Sequence, residues 1–359
     1  MVRIFSLILS FCLSFSFADN KGDHLRLYIS ADVKGETEPC GWKKKPAGGL
    51  ARKCTVVNNS IDQGFNTLIF DAGNLFFKKN SIDPGVSLDV AKENARTIVK
   101  SFNYISCDAF SPGSKDFAAG LNFLKELSSE SQFDYISCNI KDMSSNLIFN
   151  PYKIIDRGNL KIGVIGASSA FESDEVLVED PLLAINEVAL EIKDLCDVVV
   201  LLFSASDNDY RQIKNLDNVD FAVRANTRRK SSDGGKGKFP IYSTGDRGKV
   251  LYQFDFKYDD VDKPLIDIAY FNKAIKLDTK RMNDISPDGD ANLKEKYSQN
   301  IINYSQIINA AINSLQVKQI TLDKNIQDNP SVLKIVDEGK IKTRNLGGPL
   351  EDPHRWHNH

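Results

Sequence analysis

The sequence repeats one local plan, an apolar strand that stops abruptly at a short polar turn. Leu25-Arg26-Leu27-Tyr28-Ile29 is an apolar run of strand length, and it ends at Ser30-Ala31-Asp32-Val33-Lys34-Gly35. The loop Glu36-Thr37-Glu38-Pro39-Cys40-Gly41-Trp42 and the small-residue stretch Pro46-Ala47-Gly48-Gly49 lead into a helix that begins near Leu50-Ala51-Arg52. The helix returns the chain to a second strand, Asn66-Thr67-Leu68-Ile69-Phe70, which stops at Asp71-Ala72-Gly73-Asn74. Strands alternating with helices point to an α/β sheet, and in open sheets of that kind ligands bind beyond the carboxyl ends of the strands. The turns that carry Asp32, Lys34, Asp71 and Asn74 are therefore the first candidate site.

The plan continues. A strand from Tyr104 to Phe110 runs into Ser111-Pro112-Gly113-Ser114-Lys115-Asp116, and one from Phe133 to Cys138 runs into Asn139. Tyr152 to Asp156 and Leu160 to Gly166 read as a hairpin around Arg157-Gly158-Asn159. Asp197 to Phe203 is apolar enough to be covered on both faces, and it ends at Ser204. Val219 to Val223 leads into Arg224-Ala225-Asn226-Thr227-Arg228, and two further strands follow at Pro240 to Thr244 and Val250 to Tyr258.

Beyond about Asp262 the signal changes. Tyr297, Ile301, Tyr304, Ile308, Ala311 and Leu315 step by four and three, which predicts one long amphipathic helix over 291–316. Such a helix either packs on the domain surface or pairs with a second copy in a homodimer. From Asp328 onward Pro, Gly, Asp and Asn predict a loosely ordered tail that carries His354, His357 and His359. The expected divisions are 1–18, an α/β domain at 19–262, an extension at 263–327 and the tail at 328–359.

With 26% charged residues, a formal net charge of -2 and no block of like charge longer than Lys43-Lys44-Lys45, nothing in the sequence suggests a nucleic-acid or membrane-surface binder. Arg3, the apolar run Ile4 to Phe17 and the small residues of Ser16-Phe17-Ala18 predict a secretory signal peptide cleaved after Ala18. The run is shorter than the roughly 20 residues of a membrane span, so the expected location is periplasmic or secreted. In that oxidising setting Cys40 and Cys54, which flank the glycine-rich loop, are one possible pair. Cys107, Cys138 and Cys196 read as small buried hydrophobes.

These strand-end motifs resemble those of the calcineurin-like metallophosphoesterases, and among them the exported 5'-nucleotidase-type branch. The likeness runs from about Leu25 to Tyr258, and it is carried by Glu38-Pro39-Cys40-Gly41, by Pro46-Ala47-Gly48-Gly49-Leu50-Ala51-Arg52 and by Thr244-Gly245-Asp246-Arg247-Gly248-Lys249-Val250-Leu251. It implies a four-layer α/β/β/α sandwich, two mixed sheets with helices outside, followed here by a C-terminal helical extension. It also implies hydrolysis of phosphoesters by two divalent cations, manganese, zinc or iron, held by Asp, Asn and His about 3.5–4 Å apart. That family places its ligands in Asp-x-His, Gly-Asp, Gly-Asn-His-Glu, a lone His and Gly-His-x-His.

This chain departs from the pattern at nearly every position. Asp32 stands at the first aspartate, but Lys34 takes the place of its histidine. Asn74 stands where the bridging aspartate belongs, Ser114 and Lys115 replace Asn-His with Asp116 following, and Ser204 or a neighbour replaces the lone histidine. Arg224, Asn226 and Arg228 cover the last motif without a histidine. The four histidines are His24, His354, His357 and His359, so none lies between His24 and His354. The resemblance therefore predicts that Lys34, Lys115, Arg224 and Arg228 converge on the vacated pocket and neutralise Asp32, with no metal or other cofactor. The expected protein is non-catalytic and binds a protein partner or a small anion. The competing expectation is a phosphoester hydrolase with an altered site built from Asp32, Asp71, Asn74, Asp116 and Asn139.

Overall fold

Two β-sheets stacked face to face organise the chain. The computed structural model describes residues 25–348, apart from 42–44, 159, 261, 287 and 288. The segment read as a signal peptide and the histidine-bearing end both lie outside the described residues. The chain lays down β1 (Leu25–Ser30), β2 (Asn66–Asp71), β3 (Ala109–Phe110) and β4 (Asp134–Tyr135) in one sheet. It then builds a second sheet from β5 (Tyr152–Arg157), β6 (Leu160–Ser168), β7 (Val198–Ser204), β8 (Phe221–Ala225) and β9 (Ile241–Ser243). Finally it returns to the first sheet with β10 (Val250–Lys257), β11 (Leu265–Asp267) and β12 (Asn313–Thr321). The first sheet has seven strands in the order β11-β12-β10-β1-β2-β3-β4, and the second has five in the order β9-β8-β7-β6-β5.

Both sheets are mixed. β1 runs parallel to β2, with Ser30 opposite Asp71, and antiparallel to β10. In the second sheet β6, β7, β8 and β9 are parallel and the hairpin strand β5 is antiparallel. Between the sheets, Leu27, Ile29, Leu68 and Phe70 meet Val164, Val200, Leu202 and Val223 in one dry core. The alternate residues of the same strands face outward, as the two-residue period of a strand requires. Tyr28 and Ile69 pack under α1 (Leu50–Asp62), α2 (Leu88–Ile105) and α3 (Leu121–Glu130). Val199, Leu201 and Phe203 pack under α4 (Pro181–Ile192) and α5 (Asp207–Ile213). Three cores between four layers give the expected sandwich.

The C-terminal hundred residues depart from the sequence reading. α6 (Ile268–Asn283) and α7 (Ala291–Asn309) form a helical hairpin, in which the Phe271 and Tyr304 rings lie 5.9 Å apart. The helix predicted over 291–316 ends at Asn309, and Leu315 lies in β12, fully buried opposite Phe256 of β10. Asn313 makes the switch. Its amide nitrogen donates to the carbonyls of Asp260 and Lys263, and its amide oxygen accepts from the backbone N–H groups of Asp259 and Asp260. The alternation Leu315-Gln316-Val317-Lys318 was a strand signal overlaid on the helical one, and pairing with β10 decided between them.

The expected loose tail is likewise ordered over α8 (Pro330–Asn345), which packs on α1 and α2 through Val332 and Val336. Pro330 opens this helix rather than breaking it, because a proline at the first helical position gives up only an N–H that has no helical partner. Asn329 caps the helix by accepting from the N–H groups of Ser331 and Val332. The five cysteines described are all free thiols, so Cys40 and Cys54 do not pair. No helix among the described residues is long and apolar enough to cross a membrane.

At Gly339 α8 lies directly against α2. A Cβ there would sit 2.1 Å from the Thr97 hydroxyl. Gly339→Ala is expected to lower the free energy of unfolding by about 1–3 kcal/mol, as overpacking at a helix contact does. Urea unfolding of the full chain measures it, and an unchanged midpoint would show that α8 is not held there.

Candidate functional site

The turns after β1 and β2 are sewn together by backbone. The N–H groups of Asp32, Lys34 and Gly35 donate to the carbonyls of Gly73, Asn74 and Leu75 at 2.8–2.9 Å, and the N–H of Arg247 donates to the Asp32 carbonyl at 2.7 Å. This lacing bends single residues out of ordinary conformations. Asp32, Lys34, Asn74, Asn226 and Arg247 have φ of 52°, 56°, 52°, 62° and 58°, and they are five of the eight non-glycine residues described in the left-handed region. Such backbone strain collects where surrounding structure fixes a site.

Asp32 is the centre of this group and is fully buried. One carboxylate oxygen accepts from the Asn74 side-chain amide at 2.9 Å and faces the Lys34 ammonium at 3.5 Å. The other accepts from the Thr227 N–H at 3.0 Å. Burial pushes the Asp32 carboxyl up, while Lys34, Thr227 and Asn74 pull it back. Lys34 also reaches Asp246 at 2.5 Å, so one ammonium bridges two carboxylates. The Asn74 oxygen accepts from the Lys115 N–H at 3.3 Å, and its amide nitrogen lies 3.5 Å from the Ser204 hydroxyl. The space is closed from below by Gly113, where a Cβ would meet both Asn74 and Ser204 at 2.6 Å. At the rim the Lys115 ammonium donates to the Asn226 side chain at 2.9 Å, and burial lowers its pKa. Ser114 donates to Asn80 at the surface.

Four predicted site residues are committed to other tasks. Asp71 accepts from Ser30 at 2.5 Å and from the Gly73 N–H at 3.0 Å, and it lies beside the buried Lys53, whose ammonium donates to Ser30. Asp116 accepts from the backbone N–H groups of Phe76 and Gly113, both at 2.9 Å. Asn139 is tied to the backbone of Ser168 and Glu179. Arg224 corrects the expected convergence of four cations. Its guanidinium binds the Ala205 carbonyl and Asp207 and lies over the Tyr210 ring, so its charge is spent at the start of α5. Arg228 does line the cleft above Lys34.

The sequence reading missed Asp246 as a partner of Lys34, although it lies in the turn after β9 and the same strand-end rule would have flagged it. It also missed Lys78, Lys79 and Arg247, which with Lys34, Asp83, Arg228 and Asp246 line a cleft of about 510 Å³. Among the described residues no three His, Cys, Asp or Glu side chains come together as metal ligands would.

No family model matches the chain. Over 226 residues it is 25% identical to a snake venom 5'-nucleotidase of Naja atra, a match that covers 57% of this chain and 41% of that protein. It is 24% identical over 237 residues to the trifunctional nucleotide phosphoesterase YfkN of Bacillus subtilis, covering 57% of this chain and 16% of that one. The chain therefore spans less than half the length of these curated relatives. Its fold is similar to that of a Thermus thermophilus 5'-nucleotidase precursor, with a TM-score of 0.64 at 14% identity over 90% of this chain and 60% of the other. The structure of the calcineurin-like phosphoesterase YfkN superposes with the same TM-score of 0.64 at 15% identity, over 90% of this chain and 98% of that one. Related sequences and shared architecture together place the chain in the calcineurin-like metallophosphoesterase superfamily.

Proposed function

We propose that this is an exported member of the superfamily whose centre is a permanent ion-paired cluster instead of a dinuclear metal site, and that it binds without hydrolysing. One observation carries the reading. The Lys34 ammonium lies between Asp32 and Asp246, at 3.5 and 2.5 Å, where the carboxylates would otherwise need a cation. Both oxygens of Asp32 already have donors, and Asn74 turns its amide N–H group toward Asp32. A bound cation needs free oxygen or imidazole lone pairs, and an ammonium offers none. The residues present therefore do not fit a pair of divalent ions, and no step of hydrolysis is assigned to them. Export rests on the N-terminal sequence alone.

The competing hydrolase reading asks Asp71, Asp116 and Asn139 to act together with Asp32 and Asn74. The first three are held by backbone groups or by the Lys53 and Ser30 pair, and these hydrogen bonds meet the Asp32 cluster only through strand-end backbone. Asp116 follows the turn at Gly113, and its carboxylate serves that turn.

Three measurements check this reading. The purified chain, supplied with manganese or zinc, is expected to show no turnover of a generic phosphodiester or of AMP above background, and EDTA is expected to leave its melting temperature unchanged. Two equivalents of bound metal with turnover would overturn the proposal. Lys34→Met is expected to cost about 3 kcal/mol of stability by stranding a buried carboxylate, and Asp32→Asn added to it should recover most of the loss. No cost in the single variant would remove the ion pair from the argument. Burial pushes the Asp116 carboxyl from its ordinary 3.8 up to about 6. The folded state then holds this proton more tightly, so stability contributed by Asp116 is present below about pH 4 and falls as pH rises to about 6. Denaturant unfolding from pH 4 to 7 should show this loss, on the order of 2–3 kcal/mol, in the wild type and not in Asp116→Asn. A wild-type slope of the opposite sign, absent in the variant, would mean that the carboxylate is held ionised.

A further inference from the structure

We infer that the cleft above Lys34 is a metal-free receptor for a small organic anion carrying two or more acidic groups. The inference rests on the reading of the centre as ion-paired and adds the class of ligand that it takes. The cleft is lined by five cations, Lys34, Lys78, Lys79, Arg228 and Arg247, against the carboxylates Asp83 and Asp246. Two more carboxylates lie beneath, Asp32 under Lys34 and Glu36 at 3.6 Å from Lys78 and 3.9 Å from Arg247. Lys115 adds a sixth cation from the side, close enough to feel both Asp32 and Asp246. Asp116, which also acts on Lys115, is a fifth carboxylate, so six positive charges face five negative ones and the cleft keeps a positive excess that an anion offsets.

The other cations show where the surplus is available. Lys34 is taken up by Asp32 and Asp246, and Lys79 by Asp83 at 2.7 Å. Lys78 and Arg247 both reach the buried Glu36, and Arg247 also lies 3.6 Å from Asp246. Arg228 is exposed at the mouth and makes no hydrogen bond or ion pair among the described residues. A guanidinium in that position can grip a carboxylate or phosphate in a two-point fork, while Lys78 and Arg247 hold a second acidic group across the cleft.

Size and lining narrow the class. A volume of about 510 Å³ lies within the range of small-molecule sites, roughly 300–1,000 Å³, so the cleft has room for more than a bare ion. Ordinary ligand pockets are walled mostly by apolar and aromatic side chains. Every side chain lining this one is charged, and none is aromatic. The ligand therefore carries its binding energy in distributed charge.

Calorimetry on the full chain, stripped with EDTA and dialysed free of it, tests this with citrate, pyrophosphate, inorganic phosphate and AMP. Citrate or pyrophosphate is expected to bind at least about tenfold more tightly than phosphate or AMP, and the better of the two assigns the acid group as carboxylate or phosphate. Binding should weaken as sodium chloride rises, because the partners are charged and open to solvent. Arg228→Gln should lose about tenfold in affinity with an unchanged melting temperature, since this side chain holds nothing in the fold. Absence of binding by both polyanions, tighter binding of AMP, or wild-type affinity in Arg228→Gln would each overturn the inference. Binding that appears only when manganese is restored would overturn the ion-paired centre itself, whereas metal-independent failure of both polyanions removes only this receptor.

Discussion

A carboxylate without water must have its charge met by something else, and Asp32 is the residue on which that rule bears hardest. It is fully buried at the end of β1, and its partners come from four separate turns. Lys34 comes from its own turn, Asn74 from the turn after β2, Thr227 from the one after β8, and Asp246 joins through Lys34. Losing any one partner leaves an acceptor or a charge stranded in the interior, which costs more than the bond itself is worth. The cluster thus fixes how the two sheets meet at their carboxyl ends, and it explains why so many residues there hold left-handed backbone.

The sandwich makes that meeting possible. β1 and β2 belong to one sheet and β8 to the other, and the inner core keeps their ends in one place. The C-terminal segments complete the frame from outside. β12 pairs along the whole of β10, so it supports the strand that follows the Asp246 turn, and α8 covers α1 and α2. Neither touches Asp32. Their contribution is to hold the strands whose ends carry the cluster.

Beside the relatives that it matches, the chain keeps an architecture and, in the proposed reading, changes the chemistry in it. Tethered ammonium and guanidinium groups are fixed charges that bind anions but supply no Lewis acid. A cleft lined wholly by charged side chains is consistent with that exchange.

Much of this could be read from residues alone. Most of the strands and the candidate turns follow from apolar runs and their polar stops, although Tyr104 and Ile105, read as the start of a strand, end α2, and only Ala109–Phe110 is strand there. The absence of histidine between His24 and His354 bears directly on any imidazole-based site. The structure was needed wherever one local pattern served two elements. Leu315 ends the helical stripe and begins the alternation Leu315-Gln316-Val317-Lys318, and pairing with β10 selects the strand. Pro330 resembles a breaker until the surface of α2 gives its helix something to cover. Arg224 and Arg228 are four residues apart and equally basic, yet one is spent on Ala205 and Asp207 while the other faces the cleft. Sequence determined which side chains are available and how the backbone is inclined to run. Tertiary structure decided which charges meet, because burial, the cost that forces them to pair, exists only once the sheets have closed.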